Sequence, residues 1–288
     1  MAMAIHSRRV SASGTGPGED VLAELLAKAR PLVMGVINVT PDSFSDGGRF
    51  LEPQAAIGHA RRLAAEGADL LDIGAESTRP YGDAVAVSLE EELARLAPIL
   101  PAVAALGVPV SIDTMKSPIA AWALDVGAAI VNDVWGLQRD PEMAMLVATR
   151  GVPVIVMHNR DSADPTIDIV ADVTSFFQRS LAIAAQAGIR RDQIVLDPGI
   201  GFGKTPEQSL TCIARLDAWR GFGLPLLVGA SRKRFIHSVT PSGPAERLGG
   251  SLAAHLLAVE NGAAIVRVHD VAPTVQALAV AAAIWRVR

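Results

Sequence analysis

Seven side chains that form strong hydrogen bonds follow short apolar segments of this 288-residue chain. Three are carboxylates or amides and four are cations or an imidazole: Asp113, Asn132 and Asp197, and Arg232, Lys233, Arg267 and His269. A carboxylate accepts two N–H bonds side by side and an amide offers both polarities, so the first set suits a planar nitrogen heterocycle. Arginine grips phosphate with two parallel bonds and lysine supplies a point charge, so the second set suits phosphate. These residue types predict a ligand with a nitrogen ring at one end and phosphate at the other.

The stretch DPGIGFGKT, residues 197–205, has the glycines and the Lys-Thr pair of a phosphate-binding P-loop. A P-loop also needs a glycine five positions before its Gly-Lys pair, and Pro198 occupies that position. Proline has no backbone N–H to donate to a phosphate, so the stretch does not indicate an NTPase.

Each candidate residue also has a structural interpretation. Asp113 could cap the helix that follows it, and Arg267 could pair with Glu246 or Asp270. Asn132 and Asp133 could close a turn. Their shared position at segment ends favours function over these alternatives.

The elements that must position these residues are eight segments rich in Val, Ile and Leu. They are LVMGVIN (32–38), LLDIGAE (70–76), VPVSID (108–113), AIVND (129–133), VPVIVMH (152–158), IVLD (194–197), PLLVGAS (225–231) and AIVRVHD (264–270). Segments this short and β-branched, bounded by Gly and Pro, are typical of buried parallel strands. Stretches of helical periodicity lie between them, among them residues 89–107, and the apolar run 275–287 is predicted to be a helix capped by Thr274. The alternation predicts a (β/α)8 TIM barrel, with a doubly wound open sheet as the alternative, and a barrel gathers the segment ends at one mouth.

Composition limits the class of protein. The net charge of −4 is spread over mixed signs, so no basic face indicates nucleic acid. No stretch has the length of a clean membrane span or of a signal peptide's apolar region, and one cysteine, Cys212, excludes an internal disulfide. We therefore expect a cytoplasmic protein without nucleic-acid or membrane partners. The small, polar residues 1–19 predict a flexible tail before a single barrel domain over residues 20–288.

Seven blocks, in order from about residue 31 to the carboxyl terminus, resemble the dihydropteroate synthases, a family of pterin-binding barrel enzymes. The blocks are LVMGVINVTPDSFSDGG (32–48), DIGAESTRP (72–80), VSIDTMK (110–116), IVNDVWG (130–136), DPGIGFGKT (197–205), LLVGASRK (226–233) and IVRVHDV (265–271). The resemblance implies a homodimeric transferase of folate synthesis and a target of sulfonamides. Such an enzyme joins 6-hydroxymethyl-7,8-dihydropterin diphosphate to 4-aminobenzoate, releases diphosphate and needs Mg²⁺.

The resemblance also implies a role for each matching residue. The pterin residues would be Asp113, Asn132, Met157, Asp197 and Lys233, the diphosphate residues Asn38, Arg267 and His269, and the aminobenzoate-side residues Phe202 and Ser231. Thr78 and Arg79, on the loop after the second strand, would also bind substrate. Catalysis would rest on Asp113, Asp197, Lys233 and Arg267. Asn38 would also meet Mg²⁺ through its amide oxygen, which is reasonable because magnesium keeps most of its waters and binds substrate phosphates.

The family's implied path is SN1-like, in which the bond to diphosphate breaks well ahead of attack by the amine. No general base is needed, since the amine is uncharged at neutral pH. We interpret His158 as structural because the sequence offers it no evident partner, and Lys204 receives no role. The loops 37–50 and 74–87 contain Gly, Pro, Ser and Asp and are predicted to close over the substrates.

The chain departs from the family pattern at Ala75, Tyr81, Asn159, Ser209 and His237. By the resemblance, Tyr81 would lie near the aminobenzoate side. We therefore expect this departure to affect the affinity for aminobenzoate and sulfonamides more than other properties.

Two other functions remain open at this point. One is a methyltetrahydrofolate-dependent corrinoid methyltransferase, which should lack the cations of the SRK and RVHD motifs. The other is a non-catalytic pterin-binding paralogue, which could lose the diphosphate residues or the loop after the first strand. This chain retains all of these features.

Overall fold

Eight parallel strands form a closed barrel in chain order in the computed structural model of the protein, which describes residues 21–40, 53–76 and 87–287. The strands are β1 (Leu32–Asn38), β2 (Leu70–Gly74), β3 (Val110–Asp113), β4 (Ile130–Asp133), β5 (Val154–Met157), β6 (Ile194–Asp197), β7 (Leu226–Val228) and β8 (Ala263–Val268). Strand β1 pairs in parallel with both β2 and β8. The predicted (β/α)8 barrel is therefore confirmed, and closure of the sheet excludes the open doubly wound alternative.

Every predicted strand segment contains a strand, and β1 and β6 have the predicted bounds. Strands β2, β5, β7 and β8 end one to three residues earlier than predicted. The residues beyond them bind into loops instead of the sheet: the Ser231 hydroxyl, for example, accepts a hydrogen bond from the His269 backbone N–H at 3.2 Å. Ser231 and His269 thus lie just beyond the carboxyl end of the sheet.

Eleven helices are found in the part of the chain that the structure describes. They are α1 (Val21–Leu26), α2 (Pro53–Ala65), α3 (Leu89–Leu96), α4 (Leu100–Ala104), α5 (Ser117–Asp125), α6 (Pro141–Arg150), α7 (Ile169–Ala187), α8 (Pro206–Ala214), α9 (Arg234–Val239), α10 (Leu248–Glu260) and α11 (Val271–Trp285). Short 3₁₀ segments cover residues 191–193, 216–222 and 244–246.

Capping residues fix where several helices begin and end. Asp168 accepts hydrogen bonds from two backbone N–H groups in the first turn of α7, and Thr205 forms a capping box with Gln208 at the start of α8. Gly151 and Gly188 end α6 and α7 in the left-handed conformation, with φ of 64° and 89°.

Two helix predictions are corrected. The continuous helix over residues 89–107 is divided into α3 and α4, because Pro98 and Pro101 cannot donate helical hydrogen bonds. Thr274 does not cap the last helix, which begins three residues earlier at Val271. Its hydroxyl instead donates to the carbonyl of Asp270 at 2.7 Å, within the first turn.

The hydrophobic core has two parts. An inner cluster fills the lower barrel with side chains from the strands, including Met34, Ile155 and Leu227, and Leu22 and Leu25 of α1 pack against it. A larger outer cluster lies between the strands and the surrounding helices. The lower barrel is therefore apolar, which leaves the carboxyl end as the place for buried polar groups.

Cys212 belongs to the outer cluster, where burial raises the pKa of its thiol to about 11. None of the helices in the described part of the chain is long and apolar enough to cross a bilayer.

Candidate active site

Four polar side chains from four strands form one hydrogen-bonded group inside the upper barrel. Arg267 of β8 donates from Nη2 to Asp113 Oδ2 at 2.7 Å and from Nε to Asp72 Oδ2 at 2.6 Å. Asn132 of β4 donates from Nδ2 to Asp72 Oδ2 at 3.2 Å, and it lies beside Asp113 in the register of β3 and β4. We call these four residues the inner polar group. The structure thus brings together three residues that the sequence singled out: Asp113, Asn132 and Arg267.

Asp72 is the member of this group that sequence reasoning missed. It lies within β2 between apolar neighbours, and its side chain is 0% exposed. A carboxylate within an otherwise apolar strand of a barrel must find a partner inside, so the run LLDIG carried a signal that could have found it. Its partners, however, lie on β4 and β8, which only the closed fold places nearby.

The contacts of Arg267 and of the first turn of α5 differ from those that the structural alternatives predict. Arg267 pairs with neither Glu246 nor Asp270, because Asp270 is paired with Arg232 at 3.0 Å from Nε. The first turn of α5 is bound by Asp140, which accepts from the Ser117 backbone N–H at 2.7 Å, and not by Asp113.

Asp133, next to Asn132, does close a turn. It accepts from the backbone N–H groups of Trp135 at 2.9 Å and Leu137 at 2.7 Å. Burial nevertheless raises its pKa to about 6.

The charges within the inner polar group shift one another's ionisation. Burial, with the nearby Asp72 carboxylate adding to it, raises the pKa of Asp113 to about 7, although the Arg267 guanidinium opposes the change. The pKa of Arg267 is raised above its ordinary value, since the attraction of Asp72 and Asp113 outweighs its burial. Asp113 is therefore a carboxyl group that can gain or lose a proton near neutral pH.

One acceptor atom in the group has no protein partner among the described residues. Asn132 Oδ1 is buried and unbonded, while its Nδ2 is engaged by Asp72. A buried amide oxygen without a donor is costly, so this atom indicates a ligand that supplies an N–H.

Asp197 lies across the barrel mouth, at the end of β6. Its Oδ1 accepts from the Gly199 backbone N–H at 2.7 Å, and its side chain is almost fully buried. Burial raises its pKa, although the charges of Lys233 and Arg267 act in the opposite direction. Asp197 therefore shares an electrostatic environment with two of the predicted cations.

Lys233 lies above the loop that follows β6. Its Nζ donates to the Ile200 carbonyl and lies 4.3 Å from the centre of the Phe202 ring. Such a contact between an ammonium and an aromatic face is attractive. It therefore holds Lys233, a predicted pterin residue, against Phe202, a predicted aminobenzoate residue.

The other predicted residues occupy different parts of the mouth. Ser231 and His269 are bonded to each other through Oγ and Nδ1 at 3.0 Å, and Met157 is buried at the end of β5. Asn38 is half-buried at the end of β1. Thr78 and Arg79, together with Tyr81 and most of the two predicted closing loops, lie outside the described residues.

The reason given for the structural interpretation of His158 is wrong, because partners exist that the sequence could not reveal. Its Nε2 lies 3.0 Å from Asp172 Oδ2 and its Nδ1 lies 2.6 Å from Lys204 Nζ. Lys204 is itself 1% exposed, beneath the glycine loop. The loop is therefore built differently from a P-loop, since this lysine binds the loop's own carbonyls.

The described departures from the family pattern make local contacts. Asn159 accepts from the Arg160 backbone N–H at 2.8 Å, and Ser209 donates to the Thr205 carbonyl at 3.0 Å. His237 Nδ1 accepts from the Ser242 backbone N–H at 3.1 Å.

A closed parallel barrel whose mouth presents buried hydrogen-bond acceptors beside arginine and lysine suits a ligand that combines N–H donors with negative charge. The family model described as "Pterin binding enzyme" matches residues 34–269 of the chain. Dihydropteroate synthase of Bacillus subtilis is 44% identical over 245 residues, which cover 85% of each protein. The chain belongs to the dihydropteroate synthase family, whose members are transferases.

Solved structures agree with this assignment. The Xanthomonas albilineans enzyme with 4-aminobenzoic acid is 46% identical, with a TM-score of 0.85 over 89% of this chain and 93% of that one. The Thermus thermophilus enzyme in complex with 6HMPPP is 45% identical, with a TM-score of 0.78 over 88% of this chain and 94% of that one. This family, and not the corrinoid methyltransferases, is the one to which the chain is assigned.

Proposed function

We propose that the chain condenses 6-hydroxymethyl-7,8-dihydropterin diphosphate with 4-aminobenzoate to give 7,8-dihydropteroate and diphosphate. The observation that carries the proposal is the inner polar group, with its unbonded Asn132 Oδ1 beside the Asp113 carboxyl. A pterin offers an amino group and ring N–H groups along one edge, which are the donors these acceptors require. The Bacillus subtilis relative carries the name of the enzyme that catalyses this reaction.

The pterin would lie with its donor edge toward Asp113, Asn132 and Asp197. Asp113 and Asp197 accept N–H bonds best as carboxylates, so a bound pterin would lower pKa values that burial has raised. Lys233 would cover one face of the ring and Met157 would line the pocket.

The aminobenzoate would bind on the side of Phe202 and Ser231. The Phe202 ring offers an apolar face, and the Ser231 hydroxyl suits the carboxylate of the substrate. Thr78 and Arg79, which follow β2 in the sequence, are proposed to contact substrate as well. Sulfonamides share the aniline group of aminobenzoate, and we propose that they compete at this position.

The departing diphosphate would be held by Arg267, His269 and Asn38. The SN1-like path requires that the leaving charge be neutralised and the resulting pterin-methyl cation be stabilised. The positive charge would spread over the pterin ring, and the carboxylates Asp113 and Asp197 at the donor edge of the ring would help to stabilise it. The amine attacks without a general base.

Magnesium is the metal that we propose for the reaction. The residues at the mouth suit a magnesium ion that is bound mainly by water and by substrate phosphate. Among residues 21–40, 53–76 and 87–287, no cluster of three His, Cys, Asp or Glu side chains could hold a metal ion. A single amide oxygen from Asn38 is compatible with magnesium that keeps its waters and binds substrate phosphate. When bound there, the metal would supply positive charge to the leaving diphosphate.

We also propose a cytoplasmic homodimer. Leu257 of α10 and Val280 and Ile284 of α11 are 54%, 55% and 51% exposed. These apolar side chains on two helices that pack together support a partner surface there. A single buried thiol supports a reducing compartment.

The test is a direct assay with purified protein, Mg²⁺, pterin diphosphate and radiolabelled 4-aminobenzoate. We expect labelled dihydropteroate and an equal amount of diphosphate, and we expect EDTA to stop both. Binding of the pterin diphosphate without product in the presence of Mg²⁺ would support the non-catalytic paralogue instead.

A further inference from the structure

Lys204 is a buried cation that the proposed reaction does not use. It is 1% exposed, and its Nζ contacts His158 Nδ1 at 2.6 Å, the Gly199 carbonyl at 2.9 Å and the Phe202 carbonyl at 3.1 Å. Burial lowers its pKa to about 8. Burying an ammonium is costly, and an apolar methionine would avoid that cost. The contacts of this lysine must therefore offset the cost of its burial.

Those contacts fix the turn between β6 and α8. The Gly199 carbonyl that accepts from Lys204 also accepts from the Phe202 backbone N–H at 3.0 Å. This one oxygen therefore joins the start of the turn both to Phe202 and to the Lys204 side chain. The next carbonyl, that of Ile200, accepts from Lys233. Two lysines therefore hold alternate parts of the same turn, Lys204 from below and Lys233 from the mouth.

The turn is compact enough to need its glycines. Gly199 and Gly203 have φ of +65° and +54°, and a Cβ at Gly199 would lie 1.9 Å from the His158 carbonyl oxygen. The glycines allow the turn to press against the end of β5, and the lysine then holds it there.

His158 and Asp172 orient the lysine. Burial and the Lys204 charge lower the pKa of His158 to about 3, so its ring is neutral. The Nε2–H donates to Asp172 Oδ2 at 3.0 Å, and Nδ1 is left to accept from Lys204. Arg160 also donates to Asp172, at 3.1 Å, which fixes that carboxylate in turn.

We propose that Lys204 is a positioning residue: by binding the Gly199 and Phe202 carbonyls, it holds the 199–203 turn so that Phe202 and the Ile200 carbonyl stay beside Lys233. The effect on kinetics rests on the proposed function, because Phe202 is assigned to the aminobenzoate side there. The effect on the turn itself does not depend on any activity.

The experiment compares Lys204→Met with a matched control, Gln193→Met. Gln193 is also buried, at the opposite end of β6, where it accepts from the Arg190 backbone N–H at 3.0 Å. Both changes replace a buried polar side chain by the same unbranched apolar one, which is one atom shorter than lysine and as long as glutamine. Hydrogen exchange of the Phe202 amide is measured in each full-length protein, together with KM for each substrate.

In Lys204→Met we expect exchange at Phe202 to rise at least about tenfold and KM for 4-aminobenzoate to rise about tenfold, since the Phe202 carbonyl loses its lysine donor and the Gly199 carbonyl loses one of its two donors. KM for the pterin diphosphate should change less than about threefold, because Asp113 and Asn132 lie on other strands and Asp197 is held within β6, ahead of the turn. Gln193→Met should leave both parameters and the Phe202 exchange unchanged.

Two results would overturn the proposal: wild-type exchange at Phe202 in Lys204→Met, or a uniform rise in exchange with equal changes in both KM values, which indicates general destabilisation. If Lys204→Met fails to fold, Lys204→Gln, which keeps donors, is judged by the same criteria with smaller expected changes. A wild-type protein without turnover would contradict the proposed function, and the exchange result would still decide whether Lys204 holds the turn.

Discussion

Asp113→Asn should make the protein more stable at alkaline pH while it abolishes turnover. In the folded protein, burial and the Asp72 carboxylate raise the pKa of Asp113 from 3.8 to about 7. Between those values the unfolded carboxyl is ionised while the folded one keeps its proton. Raising the pH through this range therefore favours the unfolded chain, and the cost is fully present above the folded pKa. Asparagine cannot ionise, so the variant avoids this cost.

The magnitude follows from the same pKa values. The change from 3.8 to about 7 is roughly three pKa units, each worth about 1.36 kcal/mol, which gives about 4 kcal/mol above pH 7. The Asp113 side chain is 14% exposed, so water screens part of the charge. The variant also keeps an amide oxygen that can accept from Arg267. We therefore expect the free energy of unfolding of Asp113→Asn to exceed that of the wild type by about 2–4 kcal/mol at pH 8.

The assay is urea unfolding of both proteins at several pH values from 4 to 9, with the free energies compared at each pH. The difference between the two should grow from pH 4 to pH 7 and then level off, whatever the other titrating groups contribute, since these are common to both proteins. Asp125→Asn, which removes an exposed carboxylate paired with Arg150, controls for the change in net charge. A difference between wild type and Asp113→Asn that does not vary with pH would refute the reasoning.

Three further substitutions test the mouth of the barrel. Lys233→Ala should lower kcat/KM at least about 100-fold with little change in the unfolding midpoint, and near-normal steady-state kinetics would contradict the role of this cation. Phe202→Ala should raise KM for 4-aminobenzoate more than KM for the pterin diphosphate, and equal increases would argue against its placement. Gly199→Ala should cost about 2–4 kcal/mol in urea unfolding, because a Cβ at φ +65° would meet the His158 carbonyl oxygen at 1.9 Å. An unchanged midpoint would show that the turn can move aside.

The barrel was predictable because its strands are specified locally. A run such as IVLD at 194–197 is β-branched, apolar and closed by an acidic residue, and the structure places β6 there with the predicted bounds. Where the prediction failed, the cause was also local chemistry that had been given too little weight. Pro98 and Pro101 divide the helix predicted over residues 89–107.

The candidate site was predictable only in part, because its residues are linked by contacts between distant parts of the chain. Asp113 and Arg267 stood out as polar residues at strand ends, yet they are 154 positions apart, and no periodicity reveals that they are bonded. Asp72 escaped notice because it lies inside a strand. The partners of His158, Asp172 and Lys204, come from α7 and from the turn after β6, which only the folded chain brings together.

The members of the inner polar group share one charge balance, so the ionisation of Asp113 depends on Asp72 and Arg267. Asp72 and Asp113 together face one guanidinium, so with both carboxyls ionised the group carries an excess negative charge. Burial and the Asp72 carboxylate raise the pKa of Asp113, so a proton on Asp113 can balance that excess. A ligand that brings N–H donors to Asp113 and to the unbonded Asn132 Oδ1 would replace that proton. On this proposal, Asp72 would favour a donor-rich ring without contacting it, because its charge helps to keep the proton on Asp113 until such a ligand binds.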